Sequence, residues 1–226
     1  MQLDIVDFVF LTVTLITAIV TFSLAVIIIK KDWTNIINRL FFGAFLSMSL
    51  GMFALGIGDF LTKEWDLFLS KIAYTAIFLA ALVLMAAALT LNYGEGFWNW
   101  SIILVFVGVG LIPFILLLLI PGSMYFPDPS LRDVSMLDEL ALIYYPLVLI
   151  IGVITIWLFV LLYRQTSGTI KKRFQFFTVG YIVILIGGAV PDLLANMLTS
   201  RFFDALSTGL IGLGGVIMFI GFIIRE

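Results

Sequence analysis

At 226 residues, with 63% hydrophobic and 12% charged side chains and a mean hydropathy of +1.23, the chain lies outside the range of soluble globular domains and reads as a membrane protein. Twelve Lys and Arg against 14 Asp and Glu leave a net charge of −2, so nothing points toward nucleic acid. With no Cys and no His, the chain has no disulfides, thiolate nucleophiles, Cys or His ligands for zinc or haem, or histidine acid–base chemistry, and neither a metalloenzyme nor a triad hydrolase is expected.

The N-terminus MQLDIVDFVF carries Asp4 and Asp7 instead of a basic region, and no small-residue cleavage site follows. The first apolar run is therefore expected to be a retained span, not a signal peptide. A helix needs about 20 apolar residues to cross ~30 Å of hydrocarbon. Seven runs meet that length: Phe8 to Lys30, Arg39 to Leu61, Leu69 to Tyr93, Trp98 to Ile120, Leu140 to Tyr163, Phe174 to Leu198, and Phe203 to Ile224. Their polarity does not alternate, which excludes the strands of a barrel. The expected fold is all-α, one seven-helix transmembrane bundle over residues 1–226. Between the spans lie short polar connections such as KKDWTNIIN, TKEWD, YGEGFWNW and RQTSGTIKKR. Trp33, Trp65, Trp98 and Trp100 stand beside span ends, where indoles anchor at the headgroups. In SMYFPDPSLRDVSMLDE, Asp128, Asp133, Asp138 and Glu139 surround Pro127 and Pro129, and the stretch is expected to be a solvated loop.

Lys30, Lys31, Arg39, Arg164, Lys171, Lys172, Arg173 and Arg225 fall on one side of these spans, and Lys63, Lys71, Arg132 and Arg201 on the other. By the positive-inside rule this predicts an external N-terminus, a cytoplasmic C-terminus and a multi-pass place in the inner (cytoplasmic) cell membrane. A shift of 133 residues lays the first three spans on the last three, with Arg39 on Lys172 and Asp59 on Asp192. The expectation is a 3+1+3 plan: two parallel units, residues 1–93 and 138–226, joined by the linker helix 98–120.

The stretch GGAVPDLLANML places Pro191, Asp192 and Asn196 inside an apolar run. Asp192 lies six residues from the outer end of its span, roughly 9 Å along the axis. An ionised acid at that depth must face the bundle or water. Asn196, at i+4, shares its face, and Pro191 is expected to open the helix at the carbonyl of Gly187. Two readings stand side by side. Asp192 either lines an outward polar cavity, or simply hydrogen-bonds a neighbouring helix or pairs with Lys71 or Arg201. Asp59 likewise either pairs with Lys63 at the surface or joins Asp192, Lys71 and Tyr74 around a polar pocket. Gly43, Ser47 and Gly51, and the glycines from Gly209 to Gly221, predict close helix packing. No span carries a central Lys for a retinal Schiff base, a run of carboxylates for a proton pump or an Arg ladder for voltage sensing.

The segments NRLFFGAFLSMSLGMFALGIGDFL, SKIAYTAIFLAALVLMAAALTLNY and KKRFQFFTVGYIVILIGGAVPDLLANML carry a resemblance to the seven-helix N-terminal membrane region of prokaryotic histidine kinases, extending over most of the chain. The resemblance implies a sensor. This sequence departs from that family in stopping at Arg225 and Glu226 directly after the last span, so output is expected to come from a partner or a domain outside it. The first expectation for function is a non-enzymatic, receptor-like module without cofactor. A small ligand would be held by Asp192, Asn196, Asp59, Lys71 and Tyr74, while Arg164, Lys171, Lys172 and Arg173 would touch a cytoplasmic or membrane protein partner. The second is a small-solute transporter, because the 3+1+3 plan is similar to that of SWEET and PQ-loop proteins. Against it, Pro191 has only Gly58 as its counterpart, and the middle of the second span is polar only at Ser47 and Ser49. The third is a structural subunit of a membrane complex, with the glycine faces as its contact surface.

Overall fold

The computed structural model describes residues 5–58, 60–127, 134–198 and 201–224, with Asn196 and Arg201 described in their backbone only. Among the described residues, seven helices are long and apolar enough to cross a membrane. They are α1 (Ile5–Lys31), α2 (Ile36–Gly58), α3 (Lys63–Tyr93), α4 (Trp100–Pro113, extended by a π-helical turn over Phe114–Leu119), α5 (Asp138–Gln165), α6 (Gly168–Leu198) and α7 (Arg201–Ile223). The chain is thus an all-α, multi-pass membrane bundle. Several helices run beyond the apolar segments. α6 begins six residues before Phe174, and α3 begins at Lys63 inside the expected TKEWD connection, because polar helix formers near a membrane surface extend a helix that hydropathy alone ends early.

Neighbouring helices follow the order α1, α2, α3, α5, α6, α7, and α7 returns to α1. Six helices therefore close around an interior, and α4 packs on α3 from outside, with only 11% of its apolar window buried. The pattern of α1 follows from this ring. Thr14, Thr17 and Thr21 recur on one face and are buried, whereas Ile16, Ile19 and Phe22 are exposed toward the lipid side. Two of the hydroxyls are satisfied locally, Thr14 donating to the Phe10 carbonyl at 2.7 Å and Thr21 to the Thr17 carbonyl at 2.7 Å, while Thr17 donates across to the Thr208 carbonyl of α7 at 3.3 Å. In lipid the polar face of a helix turns inward, and back-bonding by two threonines and an interhelical bond by the third let it do so without orphan donors.

The closest pair is α6 with α7. A Cβ built on Gly180 would lie 2.6 Å from the Gly214 carbonyl oxygen, so only glycine lets the two backbones meet there. One end of the ring is packed with aromatics from four helices: Phe41, Phe159, Phe177 and Phe222, with ring centroids of Phe41 and Phe222 4.7 Å apart. At this end Arg173 donates from Nε and Nη2 to the Ile224 carbonyl at 2.9 and 2.7 Å, and Lys31 donates to the Phe222 carbonyl at 3.2 Å. Carbonyls at and just beyond the α7 C-terminus, which have no partner within the helix, thereby gain cationic donors. The α1–α2 turn is closed by Asp32, whose carboxylate accepts from the Thr34 hydroxyl at 2.7 Å and the Thr34 N–H at 2.9 Å. The hydroxyl first, and the amide after it, hold this carboxyl below the usual carboxylate range.

At the opposite end, the segment between α4 and α5 differs from the solvated loop expected. Its described parts form a two-residue antiparallel ribbon, β1 (Met124–Tyr125) with β2 (Ser135–Met136). Met124 and Met136 are buried against Leu117, Phe78 and Tyr144, and Ser123 donates to the Leu117 carbonyl at 2.6 Å. Apolar methionines on both ribbon strands pull the segment onto the ends of α3 and α5. Asp128 and Asp133 lie outside the described residues.

Candidate functional site

The interior of the ring holds a cavity of about 80 Å³. Its walls come from α2, α3, α5, α6 and α7, and it runs from Asp192 to Tyr181 on the same helix, eleven residues or roughly 16 Å. Apolar side chains such as Met52, Ile77, Leu84 and Ile184 form most of its lining. Polar groups gather at the Asp192 end, where Tyr74, Tyr144, Tyr145, Ser207 and Thr208 join the acid.

Asp192 is brought there by α6, which runs as one helix through Pro191. Pro191 has no N–H for the Gly187 carbonyl, so the ladder is weakened where α7 approaches, and the Ser207 hydroxyl donates to the adjacent Gly188 carbonyl at 2.8 Å. The carboxylate accepts one phenol on each oxygen: the Tyr74 hydroxyl donates to Oδ1 at 3.0 Å, and the Tyr145 hydroxyl donates to Oδ2 at 2.8 Å. One side chain of α6 thereby holds α3 and α5 together. Tyr144 completes the group by donating to the Tyr74 carbonyl at 2.8 Å. The rings stand edge to face, with centroids of Tyr74 and Tyr144 5.7 Å apart and of Tyr144 and Tyr145 5.5 Å apart. Among the described residues no ion pair reaches Asp192, Lys71 included.

Of the ligand-binding residues expected from the sequence, the structure brings together Asp192 and Tyr74. Lys71 lies one turn along α3 from Tyr74, half-buried, and is not part of the cavity wall. Asp59 and the side chain of Asn196 lie outside the described residues. The hydrogen bonds to α3 and α5 are those of the plainer reading of Asp192, and the cavity beside it is interior and mostly apolar where the other reading expected an outward polar one. At the opposite end, Arg164 and Lys172 are exposed. Lys171 sits 4.7 Å from the centre of the Tyr163 ring, and Arg173 caps α7 as described above. Those two are engaged within the chain.

Sequence reasoning missed Tyr144, Tyr145 and Ser207. A signal for the tyrosines exists: Tyr144-Tyr145-Pro146 stands about as far inside the start of its span as Pro191-Asp192 stands inside the end of its own, which puts phenols and acid at one depth. Ser207 gives no such sign, because a single serine in a glycine-rich span reads as packing.

Compared with known proteins, the chain matches no protein-family model and no curated protein. Its function is argued from the cavity.

Proposed function

We propose that the protein is a non-enzymatic, receptor-like membrane sensor that takes a small ligand into the cavity at Asp192 and passes its presence to a protein partner at the opposite, basic end. The observation that carries this reading is that one small cavity touches five helices around a carboxylate that itself ties α6 to α3 and α5. Filling the void changes contacts on all five at once. A ligand shifts a helix arrangement only through its differential affinity for two states, and a shared interior site is where such a difference arises. The charge distribution supports an external Asp192 end and a cytoplasmic basic end in a bacterial-type inner membrane, with Arg164 and Lys172 exposed for a partner. The resemblance to histidine-kinase sensor regions points the same way.

Transport is the second reading. What favours it is the helix order: a 3+1+3 repeat places α3 beside α5 and α7 beside α1 as equivalent contacts, with α4 as the linker outside, and the cavity lies between the two units. Two measurements separate the readings. A thermal-shift screen of small polar and cationic solutes should give saturable stabilisation of the wild type, weakened in Asp192→Asn. Reconstituted liposomes should then show no flux of the same solutes. Saturable flux would replace sensing by transport, and equal stabilisation of both proteins by every hit would remove Asp192 from the site.

A further inference from the structure

We propose that the ligand is a small ammonium cation, ammonium itself or a short primary alkylammonium, bound with its head between Asp192 and the Tyr74, Tyr144 and Tyr145 rings. The inference rests on the cavity being the ligand site of the proposed sensor, and gives that ligand its chemistry.

Charge comes first. Asp192 is the one carboxylate in the cavity wall described, and no Lys or Arg lines it. An ionised carboxylate offers about four acceptor sites. Two are taken by the Tyr74 and Tyr145 hydroxyls, which leaves room for two further N–H donors. An anion is repelled, and a neutral solute leaves the carboxylate without a counter-charge in a poorly solvated place. The rings supply the second element. Tyr144 stands edge to face with Tyr74 at 5.7 Å and with Tyr145 at 5.5 Å, so three π-systems crowd the acid, and a cation held at the carboxylate gains wherever it comes within about 6 Å of a ring face.

The rest of the wall separates an organic cation from a metal ion. Hard divalent ions favour several charged oxygens, and the described wall offers one carboxylate; beyond it, the phenols and the Ser207 and Thr208 hydroxyls, the wall turns to Met52, Ile77, Leu84 and Ile184. Such a floor accepts methyl and methylene groups. Size sets the upper limit. At about 80 Å³ the cavity is roughly half the ~150 Å³ that holds benzene, which suits a cation of a few heavy atoms and rejects larger amines.

The test is calorimetric titration of the purified protein in lipid nanodiscs, at constant ionic strength set with N-methylglucamine chloride. Methylammonium and ammonium chloride should bind saturably to the wild type. Asp192→Asn should weaken them at least tenfold, and Ala189→Leu, which fills the wall beside the acid, should abolish binding. Helical ellipticity and a monodisperse elution profile show that each variant is folded. If Asp192→Asn fails that check, Ala189→Leu and Tyr145→Phe carry the comparison, with loss and at least threefold weakening expected. Sodium binding as tightly as methylammonium, or ethanol binding equally to wild type and Asp192→Asn, overturns the ammonium assignment while leaving a ligand in the cavity. Binding of no solute at all overturns both this assignment and the sensor reading. Unchanged methylammonium affinity in folded Asp192→Asn or Ala189→Leu overturns the assignment alone.

Discussion

Asp192 illustrates how an expensive side chain is retained in an apolar run. Its two oxygens take hydroxyls from two other helices, so removing either phenol leaves a carboxylate lone pair to a poorly solvated interior. Hydrogen bonds to charged groups contribute about 1.5–3 kcal/mol, which sets the scale for Tyr145→Phe: the ring and its packing stay, and only the donor goes. We expect Tyr145→Phe to lower the unfolding free energy in mild detergent by about 1–3 kcal/mol. In Asp192→Asn the same substitution should matter less, giving a coupling of about 1 kcal/mol or more in a double-mutant cycle. Strict additivity would show that the bond does not hold the helices. Asp32 adds a pH signature of its own. Its carboxyl is held low in the folded protein by the Thr34 hydroxyl and amide, so its contribution is present above the unfolded value of about 3.9 and fades as pH falls through the folded value. The gap in unfolding midpoint between wild type and Asp32→Asn should therefore narrow on acidification, and a widening gap would contradict the geometry. Asp192 was legible in the sequence because a charge in a span must be explained. Its phenol partners were not, since tyrosine in an apolar segment reads equally as packing or as an interface anchor.

Helix by helix, apolar length gave the number of spans and depth gave the plane of Asp192, but neither gave the neighbours. That α4 stands outside the ring follows from its surface. Trp100, Leu104, Val105 and Val107 are exposed, and no residue within 4 Å awaits a Cβ on Gly108. On α6 the opposite holds, because a Cβ on Gly180 would meet the Gly214 carbonyl oxygen and Met218, both at 2.6 Å. Both glycines look alike in the sequence, and only the packing tells them apart. Gly180→Ala should cost about 1–3 kcal/mol, the range for overpacking a core. Gly108→Ala should be neutral or stabilise by up to about 1 kcal/mol, the helix-propensity difference. Resistance of each variant to unfolding in sodium dodecyl sulfate mixtures ranks them, and the reverse order would place α4 inside the ring and separate α6 from α7. The α4–α5 connection shows a different limit: Met124 and Met136 stand among acids and prolines, a composition that reads as solvated, yet a ribbon two residues long suffices to bury them.

For the molecule as a whole, the class was legible because the bilayer permits few solutions: continuous apolar runs must be helices with every backbone group satisfied internally. The closed ring of six was less so, since hydropathy carries no information on which helices touch, and the cavity it encloses is a property of packing alone. Seven crossings would put the two ends of this sequence on opposite faces, and the positive-inside rule gives the expectation for which face is which. The chain has no cysteine, so single cysteines report topology without background. Glu64→Cys at the start of α3 and Ser167→Cys in the α5–α6 turn are both exposed positions, at opposite ends of the bundle. In intact cells a membrane-impermeant maleimide should label Glu64→Cys fully, and should reach Ser167→Cys only after permeabilisation. Ligand access matters here as much as topology. With the Asp192 end outside, external methylammonium should slow labelling of a cysteine placed at the cavity wall, Ala189→Cys, in intact cells and in right-side-out vesicles alike. Protection that requires permeabilised membranes would put the acid on the cytoplasmic side, and the direction of sensing with it.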